Sequence, residues 1–249
     1  MKKITLFVTA LALGASVLFA QNTTRTTAVK KDNGLNQTQL EQMEQQLIDA
    51  APKTQDGKVR CFTDEADQLL QARNPATQSR EEFEQWLAPK IEEWKKNGMM
   101  HGNKVVMTIP VVVHVVHNGD AVGTGENISA AQVQSQIDVL NEDFRKMVGT
   151  PGNGNGVDVE IEFCLATIDP NNQTMAEPGI DRYNGGQTSW TSTTSIDGTL
   201  KPATSWDPTK YFNMWTVRFG GGASSLLGYA QFPNSSGLSG LGSNNGNAN

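Results

Sequence analysis

Twelve residues, Val105 to Val116, constrain this chain more than any others. The run is almost continuously β-branched and reads as a strand with apolar side chains on both faces. Such a strand must be covered twice, so it belongs at the centre of a layered fold and not on a surface. Pro110 lies inside the run. Proline cannot donate to a ladder, so it predicts an irregularity or an exposed edge at that point.

Helical periodicity flanks the run. Thr38 with Glu41 predicts a capping box, and Leu40, Met43 and Leu47 recur at helical spacing until Pro52 and Asp56-Gly57. A second helix is predicted from Asp64 to Arg73, before Asn74-Pro75. A third opens on the Ser79/Glu82 box, carries Phe83, Trp86, Leu87, Ile91 and Trp94, kinks at Pro89 and ends at Asn97-Gly98. After the central run, Asn118-Gly119-Asp120 makes a turn. Ser129 caps a helix whose stripe is Val133, Ile137, Leu140 and Phe144. Gly149 to Gly156 is a loop. Val157 to Ala166 alternates apolar and polar and predicts a half-buried strand. Asp169 to Pro208 is a long Thr/Ser/Gly-rich connection with little periodicity. Tyr211 to Phe219 and Leu226 to Phe232 predict two further strands around Gly220-Gly221-Gly222. Asn234 to Asn249 has almost no apolar content. The expected class is α+β: a helical segment first, then a twisted sheet backed by one helix, with the boundary near Gly98.

The amino terminus predicts export. Lys2 and Lys3 precede an apolar run from Ile4 to Phe19, and Ala20 precedes polar Gln21 to Thr24. That is a secretory signal peptide, too short an apolar run for a lasting anchor. No membrane association is expected after its removal. The net charge of −6 and the lack of any basic run disfavour nucleic acid as a partner.

The histidines are His101, His114 and His117. His114 and His117 are three apart on a predicted strand, so they point to opposite faces and cannot grip one ion. They are expected to be structural, and no metal ligand is assigned. No H-E-x-x-H and no G-x-S-x-G is present among the 249 residues. The two cysteines, Cys61 and Cys164, are expected to pair in an exported protein. Arg60 offers Cys61 a different use, because a neighbouring cation favours the thiolate that binds metal.

Seven stretches, taken in order, resemble the secreted pappalysin-type metalloproteases of the metzincin clan. They are Arg60 to Glu65 (RCFTDE), Ile109 to Asp120 (IPVVVHVVHNGD), Ile128 to Arg145, Glu162 to Ala166 (EFCLA), Gly179 to Asn184 (GIDRYN), Tyr211 to Val217 (YFNMWTV) and Leu227 to Pro233 (LGYAQFP). The resemblance implies a zymogen. Residues 1–20 would be the signal peptide, 21–98 a helical pro-segment, and 99–249 the opening part of a catalytic domain, stopping before the zinc helix. It implies that Cys61 is a cysteine switch holding the enzyme latent, and that Gly228, Tyr229, Ala230 and Gln231 form an edge strand that pairs with protein or peptide substrates. Zinc is the implied cofactor, with calcium a second metal left open. The long zinc motif of the family is missing from these residues, so the chain as given is expected not to hydrolyse peptides and to be a fragment of a secreted precursor. The alternative is a catalytically inactive secreted fragment, or a binding or adhesion module.

Overall fold

The computed structural model describes residues 34–98 and 106–233. The expected signal peptide, His101 and the Asn/Ser/Gly tail lie outside the described residues.

Strand β1 (Met107–His117) is the centre of the molecule. It pairs in parallel along both edges. β2 (Ile161–Leu165) and β3 (Ile180–Asn184) lie end to end along one edge, opposite Met107–Val111 and Val113–His117. β4 (Phe212–Thr216) takes the other edge, opposite Val111–Val115. Parallel pairing requires crossovers, and the helices supply them. The Met107 and Val113 amides donate towards the β2/β3 edge, to Glu160 and Gly179. By alternation Pro110 turns its missing donor to the opposite edge, where β4 pairing begins only at Val111. Proline thus sits inside a central strand without leaving a ladder carbonyl unpaired.

Both faces of β1 are covered. Val111, Val113 and Val115 pack against Val133 and Ile137 of α4 (Ala130–Phe144), with Phe163 and Ile180. Ser129 and Gln132 close α4 in a reciprocal capping box. The other face presents Val112, His114 and Val116. Val116 packs with Trp190, Ile196 and Leu200. Those last two residues belong to a helical run in three contiguous pieces: α5 (Thr193–Ser195), a π-helical turn (Ile196–Leu200) and α6 (Lys201–Thr204). The expectation of one backing helix therefore falls short. A second helical layer hides in the Thr/Ser/Gly-rich connection, whose β-branched residues and Gly198 carry weak helix propensity.

The amino-terminal helices build a third cluster. α1 (Gln37–Ala50) and α2 (Thr63–Arg73) bury Leu40, Ile48, Ala66 and Leu69 around Val59 and Phe62, and Ala223 and Leu226 complete that core. The capping box of α1 is Asn36 with Gln39, not Thr38 with Glu41, because Asn36 already accepts the Gln39 amide with extended backbone. α3 (Arg80–Gly98) continues past Pro89. Its expected apolar stripe is only half-covered at Phe83, Trp86 and Leu87, and Ile91 is exposed.

Two predicted strands are corrected. The alternating segment forms a ladder only from Ile161. Glu160 adopts a positive φ of 59° and breaks the pleat, and Val157 and Val159 lie exposed. Leu226 to Phe232 joins no sheet among the described residues; its one bridge there is Leu226 with Val59.

Arg182, held by Glu177 in a bidentate pair, fastens β3 to the loop before α4. Glu177 accepts from Arg182 Nε at 2.6 Å and Nη2 at 2.7 Å, while Arg182 Nη1 donates to Asn127 and to the Ile128 carbonyl. The Arg182 hydrogen bonds hold the Glu177 carboxyl below its ordinary 4.5, against a smaller opposing effect of burial. The pair's contribution is complete above 4.5 and is lost as pH falls through the lowered folded value. Replacing Glu177 by Gln should therefore flatten the fall of the urea midpoint on the acid side of pH 4.5. Truncating Ile137, 2% exposed between α4 and β1, to Ala should cost about 2–5 kcal/mol in urea unfolding.

Candidate functional site

Residues 58–63 and 224–230 run side by side, and this lane holds Cys61, Gly228, Tyr229 and Ala230. The Val59 amide donates to the Ser225 carbonyl at 2.9 Å, and the Leu227 amide donates to the Val59 carbonyl at 3.0 Å. The Phe62 amide donates to the Gly228 carbonyl at 3.1 Å. Further along, the Ala230 amide donates to the Thr63 hydroxyl at 2.9 Å, and the Lys58 ammonium caps the Ser224 carbonyl at 3.0 Å. The two segments point the same way, as the parallel bridge between Val59 and Leu226 shows.

Burial fixes what this lane displays. Val59 and Phe62 are 1% and 0% exposed, and they anchor the segment in the α1/α2 core. Arg60 and Cys61 between them face solvent. The thiol of Cys61 donates to the Thr63 hydroxyl at 3.2 Å. Cys61 is thus an exposed thiol on a backbone held at both ends. Cys164 lies on β2 beside Pro110 and is also exposed and free. The expected disulfide is absent: both thiols are free, one in the lane and one on the strand opposite Pro110.

Gly228, Tyr229, Ala230 and Gln231 were expected as a strand edge open to a peptide. The Gly228 carbonyl and Ala230 amide are instead engaged by Phe62 and Thr63. Tyr229 turns inward. Its hydroxyl donates to Asp197 Oδ1 at 2.7 Å, and Lys201 stands 4.5 Å above its ring while bonding the same Asp197 at 2.8 Å. Burial first, and the Asp197 carboxylate second, push the ionisation of Tyr229 well above its ordinary range, so the phenol stays a neutral donor. Sequence alone gave no sign of the Asp197–Lys201–Tyr229 cluster, because Asp197 and Lys201 lie in the connection without periodicity.

His114 and His117 behave as the strand geometry requires. His114 is fully buried. Its Nδ1 lies 2.8 Å from Asp181 and its Nε2 lies 2.9 Å from Asn213, and its ring stacks on Trp215 at 5.0 Å. His117, facing the other way, accepts the Gly119 amide through Nδ1 at 2.9 Å. Both nitrogens of His114 are thus engaged by the protein. No group of three His, Cys, Asp or Glu side chains able to hold a metal ion occurs among the described residues. The residues present do not fit a zinc site. No helix among the described residues is long and apolar enough to cross a membrane.

No family model and no curated protein matches the chain. Solved structures do. Mature mirolysin from Tannerella forsythia in complex with a cleaved peptide is 38% identical, covering 51% of this chain and 47% of that one, with a TM-score of 0.42. Mirolysin in complex with a compound is 39% identical over 52% of this chain and 47% of that one, with a TM-score of 0.42. A Tannerella forsythia promirolysin mutant is 32% identical over 70% of this chain and 54% of that one, with a TM-score of 0.45. The chain spans about half the length of these relatives. The likeness rests on sequence identity.

A thiol titration of the folded protein, without denaturant, should count both of its two cysteines. A count of zero would restore the disulfide.

Proposed function

We propose that this chain is the amino-terminal part of a secreted zinc metalloendopeptidase precursor of the pappalysin type. The observation that carries the reading is the 32–39% identity to mirolysin and promirolysin. The share of this chain that is matched rises from 51% with the mature protein to 70% with the pro form. That difference supports reading residues 21–98 as a pro-segment.

In this reading the lane is a latency contact. An extended segment offers unpaired amides and carbonyls, and a peptide substrate would bond to them main chain to main chain. Here Val59, Phe62 and Thr63 take the groups of Leu227, Gly228 and Ala230. While they stay, a substrate cannot pair there. Cys61 sits in the middle of the blocking segment with its thiol outward. It is the residue proposed to block the metal of the complete enzyme. The zinc ligands and the general base would come from residues beyond these 249, and no catalytic step is assigned to any side chain described here.

The test is a comparison of two proteins. The 249-residue chain should bind no stoichiometric zinc and leave casein intact. A longer product of the same reading frame, carrying an H-E-x-x-H segment, should digest casein and lose that activity to a chelator. Casein digestion by the 249-residue chain alone would overturn the proposal.

A further inference from the structure

Glu44 is the least expected residue in the fold. It lies on α1 among the apolar positions Leu40, Ile48 and Phe62, yet only 2% of it is exposed. A buried carboxylate without partners costs several kcal/mol, so its surroundings must answer it. They do so from 149 residues away. The Thr193 amide and hydroxyl donate to Glu44 Oε1 at 2.6 and 2.8 Å. The Thr194 amide and hydroxyl donate to Oε2 at 3.3 and 3.2 Å. Each oxygen thus receives one backbone and one hydroxyl donor. These donors open the helical run Thr193–Thr204, where free amides and the helix dipole favour negative charge. Two further contacts flank the carboxylate: the Arg73 guanidinium donates through Nη2 to the Thr194 carbonyl at 2.7 Å and brings a positive charge to the site, and Gln37 donates to the Thr194 hydroxyl at 3.3 Å.

We infer that Glu44 is the mooring that holds the amino-terminal helices on the rest of the molecule, separately from the Cys61 lane. The regulatory sense of that mooring rests on the pro-segment reading above; the contact itself does not. The helical run that receives Glu44 is the same one that carries Asp197 and Lys201, which hold Tyr229. Glu44 at one end and Tyr229 at the other therefore clamp α1 and residues 226–230 to a single rigid element. Release of α1 withdraws Leu40 and Ile48 from the core they share with Ala223 and Leu226, and so loosens the lane at its root. The lane's own hydrogen bonds are mostly main chain to main chain and are indifferent to side-chain identity. Glu44 supplies the specificity: a carboxylate answered by four donors is not replaced by an arbitrary helix.

The chemistry predicts an asymmetric response to substitution. Glu44→Gln keeps the shape but turns an NH2 towards one threonine amide. A hydroxyl can rotate to accept it; an amide cannot, and two donors then face each other. Hydrogen exchange on the full chain reads the result. In Glu44→Gln, the amides of Val59, Phe62 and Leu227 and those of α1 should exchange about tenfold to a hundredfold faster, the range expected when a buried charged hydrogen-bond partner is lost. The β1 and α4 amides should keep their rates. Thr194→Val, which removes one hydroxyl and no charge, should loosen the same amides by a smaller factor. Asp49→Asn, on the exposed face of the same helix, should change nothing. Unaltered exchange in Glu44→Gln would overturn the inference. So would equal acceleration in β1 and α4, which would mark Glu44 as a general stability residue. Neither result depends on peptidase activity, so failure here is separable from failure of the functional reading.

Discussion

The whole arrangement follows from covering one strand. β1 has parallel partners along both edges and apolar side chains on both faces, and four of its valines are at most 2% exposed. Leaving either face wet would forfeit roughly 1.5–3 kcal/mol for each valine exposed. α4 covers one face and the helical run Thr193–Thr204 covers the other. Both helical crossovers after β1 return the chain to that strand. The amino-terminal helices do not touch this problem directly; they close a separate core against Ala223 and Leu226.

How much of this was legible in the sequence depended on whether a signal was local. The Ser129 cap and the Val133/Ile137 stripe gave α4 because both lie within fifteen residues. The doubly apolar run gave β1 as a buried strand, and period two gave the opposite aims of His114 and His117. The second covering helix was not legible. Ser192 to Leu200 is rich in threonine, serine and glycine, and it is helical because Ile196 and Leu200 find Val116 and Trp190 and because Glu44 answers its first amides. Tertiary contacts there override weak propensity. Alternation from Val157 misled for a comparable reason: the pattern continues upstream of Ile161, but the backbone turns at Glu160.

The site residues divide in the same way. Arg60 drew attention to Cys61 in the sequence, its switch role was implied only by the family resemblance, and the structure places it exposed between two buried anchors. The edge role of Gly228 to Gln231 was implied by the family resemblance, and a single sequence does not show the segment lying against that stretch. The partner of that stretch is Val59 to Thr63, and nothing in either sequence announces the other. Glu44 was not singled out. On a helical wheel it falls on the same face as Leu40 and Ile48, but only the threonines opposite show what answers its charge there.

The lane joins Lys58 to Ser224 and Thr63 to Ala230, partners 166 and 167 residues apart. A ribosome adding 5–20 residues each second takes roughly ten to thirty seconds to cross that interval. Throughout it Leu40, Ile48 and Phe62 lack Ala223 and Leu226, the residues that complete their core. The core of α1 and α2 is therefore closed only by residues made more than a hundred positions later in the chain.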